Sequence, residues 1–361
     1  MFDNVYAKKF KAFPVQLIDI PDGVLVKRGC TEFKINGAEA RIVIETVLAI
    51  ATGEGATCDE ICELFPLYAH ASVASLVEQL TSRRILVNGD QTASNKVEDN
   101  LDIFYWHFGK ESRSTTTELN SHRFAILGVT CIARQLVSAL AELKFSNFEV
   151  IDYPLLRNLR LFDDGGTIAA DQWPLALKQP LGCGKWTEDL QPSLCDCVIA
   201  TSDFGYSPAF IEWNRFCIER DCHFLPVVLH NMMGYVGPLV IPKDTACFEC
   251  LQTRQNAHLQ SPHLQRAFQE VAFEGQIITG FHPSMTSILG NIAAFELSRF
   301  YGGVLPKPQV GRLIEVNLLD TQVVTRKVLK VPRCVACSPL DNRSSVNPYT
   351  SPFIPSSCDG L

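Results

Sequence analysis

Four of the fourteen cysteines stand in two pairs of the same spacing, Cys247-Phe-Glu-Cys250 and Cys334-Val-Ala-Cys337, with no cysteine between Cys250 and Cys334. A C-x-x-C pair puts two thiolates on one tight turn, and two such pairs that meet across a long span read as one tetrahedral four-sulfur zinc site. All four ligands then come from protein, so the ion is structural and keeps no open position for chemistry. The competing reading is two buried thiol or redox pairs, and two well-separated pairs in a cytosolic type of chain weigh toward metal. The other ten cysteines have scattered spacings and read as small core residues in a reducing compartment.

A second stretch with chemical potential is Ala125-Ile-Leu-Gly128-Val-Thr130-Cys131-Ile-Ala133. It falls between an expected strand and an expected helix, where a dinucleotide-type fold puts its phosphate loop. Asp152, 24 residues after Gly128 at the next strand end, stands where a carboxylate would hold a ribose. Only the first loop glycine is kept: Thr130 brings a β-branched side chain where phosphate needs bare backbone, and Ala133 fills the third position. The stretch therefore reads as a Rossmann-like scaffold without nucleotide. Asp203, after a later apolar strand, suits ligand or metal contact, or capping of the helix that follows it. No Gly-x-Ser-x-Gly, His-Glu-x-x-His or Gly-x-x-x-x-Gly-Lys-Ser/Thr motif occurs. Histidines such as His223, His230 and His282 are dispersed and read as surface or core filler.

These residues need elements to position them. At 361 residues, 47% hydrophobic and 20% charged, the chain has the length for two domains and the composition of a soluble globular protein. A net charge of -7 and a pI near 5.7 argue against nucleic-acid and anionic-membrane partners. The N-terminus lacks a signal-peptide core and no apolar run is long enough to span a bilayer, so the expectation is cytoplasmic. Alternating runs at 14–20, 24–27 and 32–35, with Asp22-Gly23 as a turn, predict a small antiparallel sheet. Helices are expected over 38–51, over 58–64 with Thr57 and Glu60 as a capping box, and over 71–82. A strand at 85–87 closes a winged-helix-like module of residues 1–90. Residues 91–118 are polar and read as a linker, with Ile103-Phe104-Tyr105-Trp106 packing on something within it. From Arg123, strands at 123–127, 148–151, 197–201 and 225–229 alternate with helices at 132–143 and 208–220, which predicts an α/β fold with a mainly parallel, doubly wound sheet. A helix over 284–301 and a hairpin of 312–319 with 322–329 complete the domain of residues 119–345. Residues 346–361 read as a flexible tail.

The order Ile151-Asp152, Asn158-Leu159-Arg160, Thr201-Ser202-Asp203-Phe204 and two Cys-x-x-Cys pairs flanking helix 284–301 resembles the ubiquitin-activating-enzyme-like (ThiF-like) superfamily over about 119–338. The resemblance implies a fold that adenylates a C-terminal carboxylate with ATP and magnesium. The chain departs from it in several places. The glycine loop is lost, Pro154 replaces the second Asp of an Asp-x-Asp pair, no Lys lies between Lys144 and Lys178, and 251–333 holds no Cys. Gly128, Asp152, Arg160 and Asp203 are therefore expected to form a degenerate nucleotide site, with no catalytic residue and no ATP.

Together with the N-terminal module and the closing stretch 311–337, the chain resembles the cyclodehydratase partner proteins of azole- and azoline-forming peptide pathways. That resemblance implies a non-catalytic protein that binds the leader of a ribosomally made peptide and presents the core to a YcaO-type cyclodehydratase. It also implies a homodimer. A leader would add a strand along Thr31, Phe33 and Ile35 and set apolar side chains against Ser72, Ser75, Leu76 and Gln79 of helix 71–82. A winged-helix DNA binder is disfavoured because that helix carries no basic residue. The alternative function is an ATP-dependent adenylyltransferase of the ThiF/MoeB type acting on a peptide.

Overall fold

A computed structural model describes residues 8–89, 99–183, 195–257, 280–303 and 310–338. The chain divides into two compact units, Met1–Thr115 and Thr116–Leu361. The tail expected at 346–361 lies outside the described residues.

The first unit holds a three-stranded antiparallel sheet of β2 (Gln16–Ile20), β3 (Gly23–Arg28) and β4 (Thr31–Asn36), in the order β2-β3-β4. Among the described residues the outer edge of β4 carries no strand. Helices α1 (Ala40–Ala51), α2 (Cys58–Cys62) and α3 (His70–Ser82) follow. Their starts and faces were legible: Thr57 accepts from Glu60 N–H at 3.2 Å while the Glu60 carboxylate accepts from Thr57 N–H at 2.7 Å, which is the expected capping box. Val73, Leu76, Val77 and Leu80 of α3 are buried at helical spacing. The strand expected at 85–87 is β5 (Leu86–Asn88), and its partner is β1 (Phe10–Ala12), too short to leave an alternating signature.

Residues 99–118 of the stretch read as a linker are structured; residues 91–98 lie outside the described residues. The structured part forms α4 (Asn100–His107), capped by a reciprocal Asp99/Asp102 pair, and α5 (Ser112–Ser121). Trp106 is buried, donates Nε1–H to Arg84 O at 3.0 Å, and together with Phe13, which it meets edge to face, packs on the Arg28 guanidinium at 4.6 and 4.5 Å. Tyr105 is buried as well, so the packing expected of residues 103–106 is found; local polarity hid the helices themselves.

The second unit is built on an eight-stranded sheet. In chain order the strands are β6 (Phe124–Leu127), β7 (Phe148–Asp152), β8 (Leu181–Gly182), β9 (Cys197–Ser202), β10 (His223–His230), β11 (Met233–Val236), β12 (Arg312–Asn317) and β13 (Gln322–Lys327). The spatial order is β13-β12-β11-β10-β9-β6-β7-β8; from β10 to β8 all neighbours are parallel, and β11, β12 and β13 extend the sheet antiparallel. Central strands β6 and β9 are buried at every position, as strands covered on both faces must be. One face packs α6 (Cys131–Glu142) and α9 (Pro283–Tyr301), and the other packs α7 (Ala209–Glu219) and α8 (Phe248–Ala257). Helix α9 lies close on α6 because Gly290 leaves room: a Cβ there would come 2.8 Å from Gln135 Cβ and 2.9 Å from Leu136 N. Among the described residues no helix is long and apolar enough to cross a membrane.

Candidate functional site

The chain order reverses between β6 and β9, and a doubly wound sheet binds ligands in the crevice at the C-terminal ends of such a pair. Gly128 follows β6 and Asp203 follows β9, so two of the expected residues meet there. Asp203 is 2% exposed. Its carboxylate accepts from Cys131 N–H at 2.7 Å, Ile132 N–H at 3.2 Å and Asn158 Nδ2 at 2.7 Å. Thr130 is the N-cap of α6 and accepts from Ala133 N–H at 2.9 Å, while its hydroxyl is 2.8 Å from that of Thr201. The three N–H groups that open α6, which a phosphate would otherwise use, are thus satisfied by the chain's own oxygens. Asp203 does cap a helix, as one reading allowed, but it is α6; the helix that follows it, α7, has Pro208 as N-cap, and its first N–H, of Ala209, goes to Ser207 Oγ at 3.4 Å.

Burial raises the Asp203 carboxyl above its ordinary range, opposed by Asn158 and the α6 N–H groups that favour the ionised form. Burial, and then the Asp203 charge, push the Cys131 thiol up to about 12. The ribose-type carboxylate is also engaged. Arg157, which sequence reasoning missed, clamps Asp152 with two bonds of 2.7 and 2.8 Å. Arg160 joins the cluster through its backbone, donating N–H to Asn158 Oδ1 at 3.1 Å.

The four expected metal residues converge. Their sulfurs all lie within 4.8 Å of one another, with Cys247–Cys250 at 3.8 Å and Cys247–Cys334 and Cys250–Cys337 at 3.5 Å. A tetrahedron with metal–sulfur bonds of about 2.3 Å puts sulfurs about 3.8 Å apart, so this cluster has the size to hold a metal ion. Cys247 and Cys250 flank the start of α8, and Cys334 and Cys337 sit on turns after β13. Hydrogen bonds from the Cys247 thiol and from Val331 N–H, at 3.3 Å, lower the Cys250 thiol from its ordinary range, the direction that favours a thiolate.

Residues that the pattern could not reveal support this frame. Glu249, between the first two ligands, is buried and paired with Arg215 by two 2.8 Å bonds, and Asn214 Oδ1 accepts Phe248 N–H at 3.0 Å. Arg254 of α8 donates to Leu329 O and Lys330 O at 2.7 and 3.1 Å, holding the chain that leads to the second pair.

In the first unit, Phe33 is buried under the Arg83 guanidinium at 4.3 Å, and Thr31 and Ile35 are half-buried along β4. On α3, Ser72, Ser75 and Gln79 are exposed, and Leu76 joins Phe33 in the core cluster.

No protein-family model and no curated protein matches the chain. Solved structures do match. A heterocyclase in complex with substrate and cofactor aligns at 15% identity and a TM-score of 0.57, covering 92% of this chain and 40% of that one. The heterocyclase TruD aligns at 16% identity and 0.58, covering 92% and 43%. E. coli MccB with AMPCPP and MccA aligns at 15% identity and 0.62, covering 91% and 99%. The chain thus spans about two-fifths of the heterocyclase chains and nearly all of MccB. Over nine-tenths of its length, this chain has the fold of MccB and of a part of these heterocyclases.

Proposed function

We propose that this chain is a precursor-peptide-binding scaffold that does not itself consume ATP and that delivers a ribosomal peptide to a YcaO-type cyclodehydratase forming azolines or azoles. The observation that carries the proposal is the closed crevice: Thr130 and Asp203 occupy the N–H groups of α6, and Arg157 occupies Asp152. The leader adds a strand to β4 at Thr31, Phe33 and Ile35, its side chains reaching Ser72, Ser75, Leu76 and Gln79 of α3. The four cysteines hold zinc, whose preference for closed sulfur sites they suit. Ile288 and Phe295 stand exposed on α9, with Ile292 half-buried on the core between them, and two copies pair through the exposed pair. Sedimentation at micromolar concentration tests that dimer, and a monomer there would exclude it. So many free thiols suit a reducing cytoplasm.

Fluorescence anisotropy with labelled leaders encoded beside this gene, and calorimetry with magnesium and ATP, test the two limbs. Ser75→Glu, or Phe33→Pro at the strand edge, should weaken leader binding at least about tenfold while ATP gives no heat. Full leader affinity in a chain lacking the first unit, or micromolar ATP affinity, would overturn it. The second reading, an ATP-dependent adenylyltransferase acting on a peptide, draws on the fold shared with MccB, which is also solved with ATP, and on Asn158, Arg160 and Asp203 lying together. Pyrophosphate exchange with those peptides decides it.

A further inference from the structure

Lys8, Phe13, Arg84, Asn88, Trp106 and Gly109 line a cavity of about 370 Å³ in the first unit, beside β5 and the end of α4. That volume lies at the small end of the range for ligand pockets, about 300–1,000 Å³. None of the residues expected at the leader groove lines it.

Asn88 Oδ1 is buried there without a hydrogen-bond partner. Buried acceptors are nearly always paired, so this oxygen calls for a donor from outside the chain. The rim is cationic. Lys8, Arg84 and Lys110 face it against one acid, Glu111, in a chain of net charge -7, and Lys8 and Arg84 are both exposed. Arg84 is the left-handed residue that ends α3, φ 60°, with Ile85 N–H on Leu80 O at 2.9 Å, so its place at the rim is set by the helix end and a glycine would also fit its backbone. Trp106 Nε1–H fixes its carbonyl at 3.0 Å, and the guanidinium lies so close on Gly109 that a Cβ there would come 2.1 Å from its nitrogen. Phe13 and Trp106 give the cavity apolar walls.

We propose that this cavity binds an acidic residue of a peptide. The carboxylate sits between Lys8 and Arg84, the aliphatic stem lies against the two rings, and a backbone N–H donates to Asn88 Oδ1. The carboxylate-plus-N–H chemistry stands on the cavity alone. Only its assignment to a peptide rests on the peptide-binding function proposed above.

Saturation-transfer NMR on the full chain, with three small probes, tests it. The probes are N-acetylglutamate N-methylamide, its glutamine counterpart, and glutarate, which has carboxylates but no N–H. The capped glutamate should bind at least tenfold tighter than either of the others. Arg84→Gly removes the guanidinium while suiting φ 60°, and Lys8→Glu reverses an exposed charge; each should weaken the capped glutamate at least tenfold in a chain whose spectrum stays dispersed. Asn88→Leu should erase its advantage over glutarate. Equal binding of the glutamine probe, or unchanged binding in folded Arg84→Gly, would overturn the site. Glutarate binding as tightly as the capped glutamate would overturn its assignment to a peptide. None of these probes carries a leader sequence, so their failure leaves the β4 groove to its own anisotropy test.

Discussion

Cys131 reports whether the N-terminus of α6 is closed. A cysteine at the first position of a helix normally has a lowered pKa, because the helix end favours the thiolate. Here the Asp203 carboxylate sits on that end, Asn158 Nδ2 approaches the sulfur at 3.5 Å, and the thiol is pushed up to about 12 by burial and the Asp203 charge. An unperturbed thiol, with a pKa of about 8.5, is about one-quarter thiolate at pH 8, whereas a thiol at about 12 is ionised there to roughly one part in ten thousand. Greater nucleophilicity of the more basic sulfur, with a Brønsted slope of about 0.45, recovers about 40-fold of that 2,500-fold deficit, leaving exchange about 60-fold slower before burial slows it further. The assay is thiol–disulfide exchange with an aromatic disulfide, followed site by site by mass spectrometry, with the same cysteine in denatured chain as reference. The rate should keep rising tenfold per pH unit beyond pH 9, where the reference levels off. Asp203→Asn, which removes the charge and keeps the shape, should accelerate it. Labelling of folded Cys131 as fast as the denatured reference, or no acceleration in Asp203→Asn, would refute the closed-helix argument, because an open anion site predicts the opposite sign.

Two further outcomes are expected. Purified protein should carry one metal ion per chain, and Cys334→Ser should weaken its retention against a chelator at least about 100-fold; metal analysis well below one equivalent would count against the site. Trp106→Ala should destabilise the first unit by about 3–5 kcal/mol in denaturant, since it empties a buried site and uncovers Arg28; a change under about 1 kcal/mol would return 91–118 to the status of a linker.

Sequence carried what depends on short spacing. Two C-x-x-C pairs announced four sulfurs, Thr57 and Glu60 announced a helix start, and the apolar runs of β6 and β9 announced a covered sheet. Contacts across long separations stayed hidden. Asp203 caps a helix whose first residues lie 71 and 72 positions earlier, and no local pattern distinguishes that use from a ligand contact. The Arg157 clamp on Asp152 is nearer, yet an arginine five residues from a strand-end carboxylate is too common a neighbour to be read as a lock. β1 and β11, of three and four residues, are strands because β5 pairs with the first and β10 and β12 flank the second.

Gly128 looks like a remnant of a phosphate loop, yet its geometry explains it without phosphate. Its φ is 102°, and a Cβ there would stand 2.8 Å from Leu156 O and 3.0 Å from Thr201 O, both backbone atoms of neighbouring segments. Gly128→Ala must therefore strain the backbone and push two chains apart, which should cost about 2–4 kcal/mol whether or not any nucleotide binds. Thr130→Gly restores a glycine to the loop but removes the N-cap of α6 and the partner of the Thr201 hydroxyl, and should cost about 1–2 kcal/mol. If the loop is scaffold, both changes lower the unfolding midpoint of the second unit, and Thr130→Gly gains no ATP affinity because Asp203 still holds the next two N–H groups. Calorimetric binding of magnesium and ATP to Thr130→Gly would show instead that a single side chain separates this crevice from a working nucleotide site.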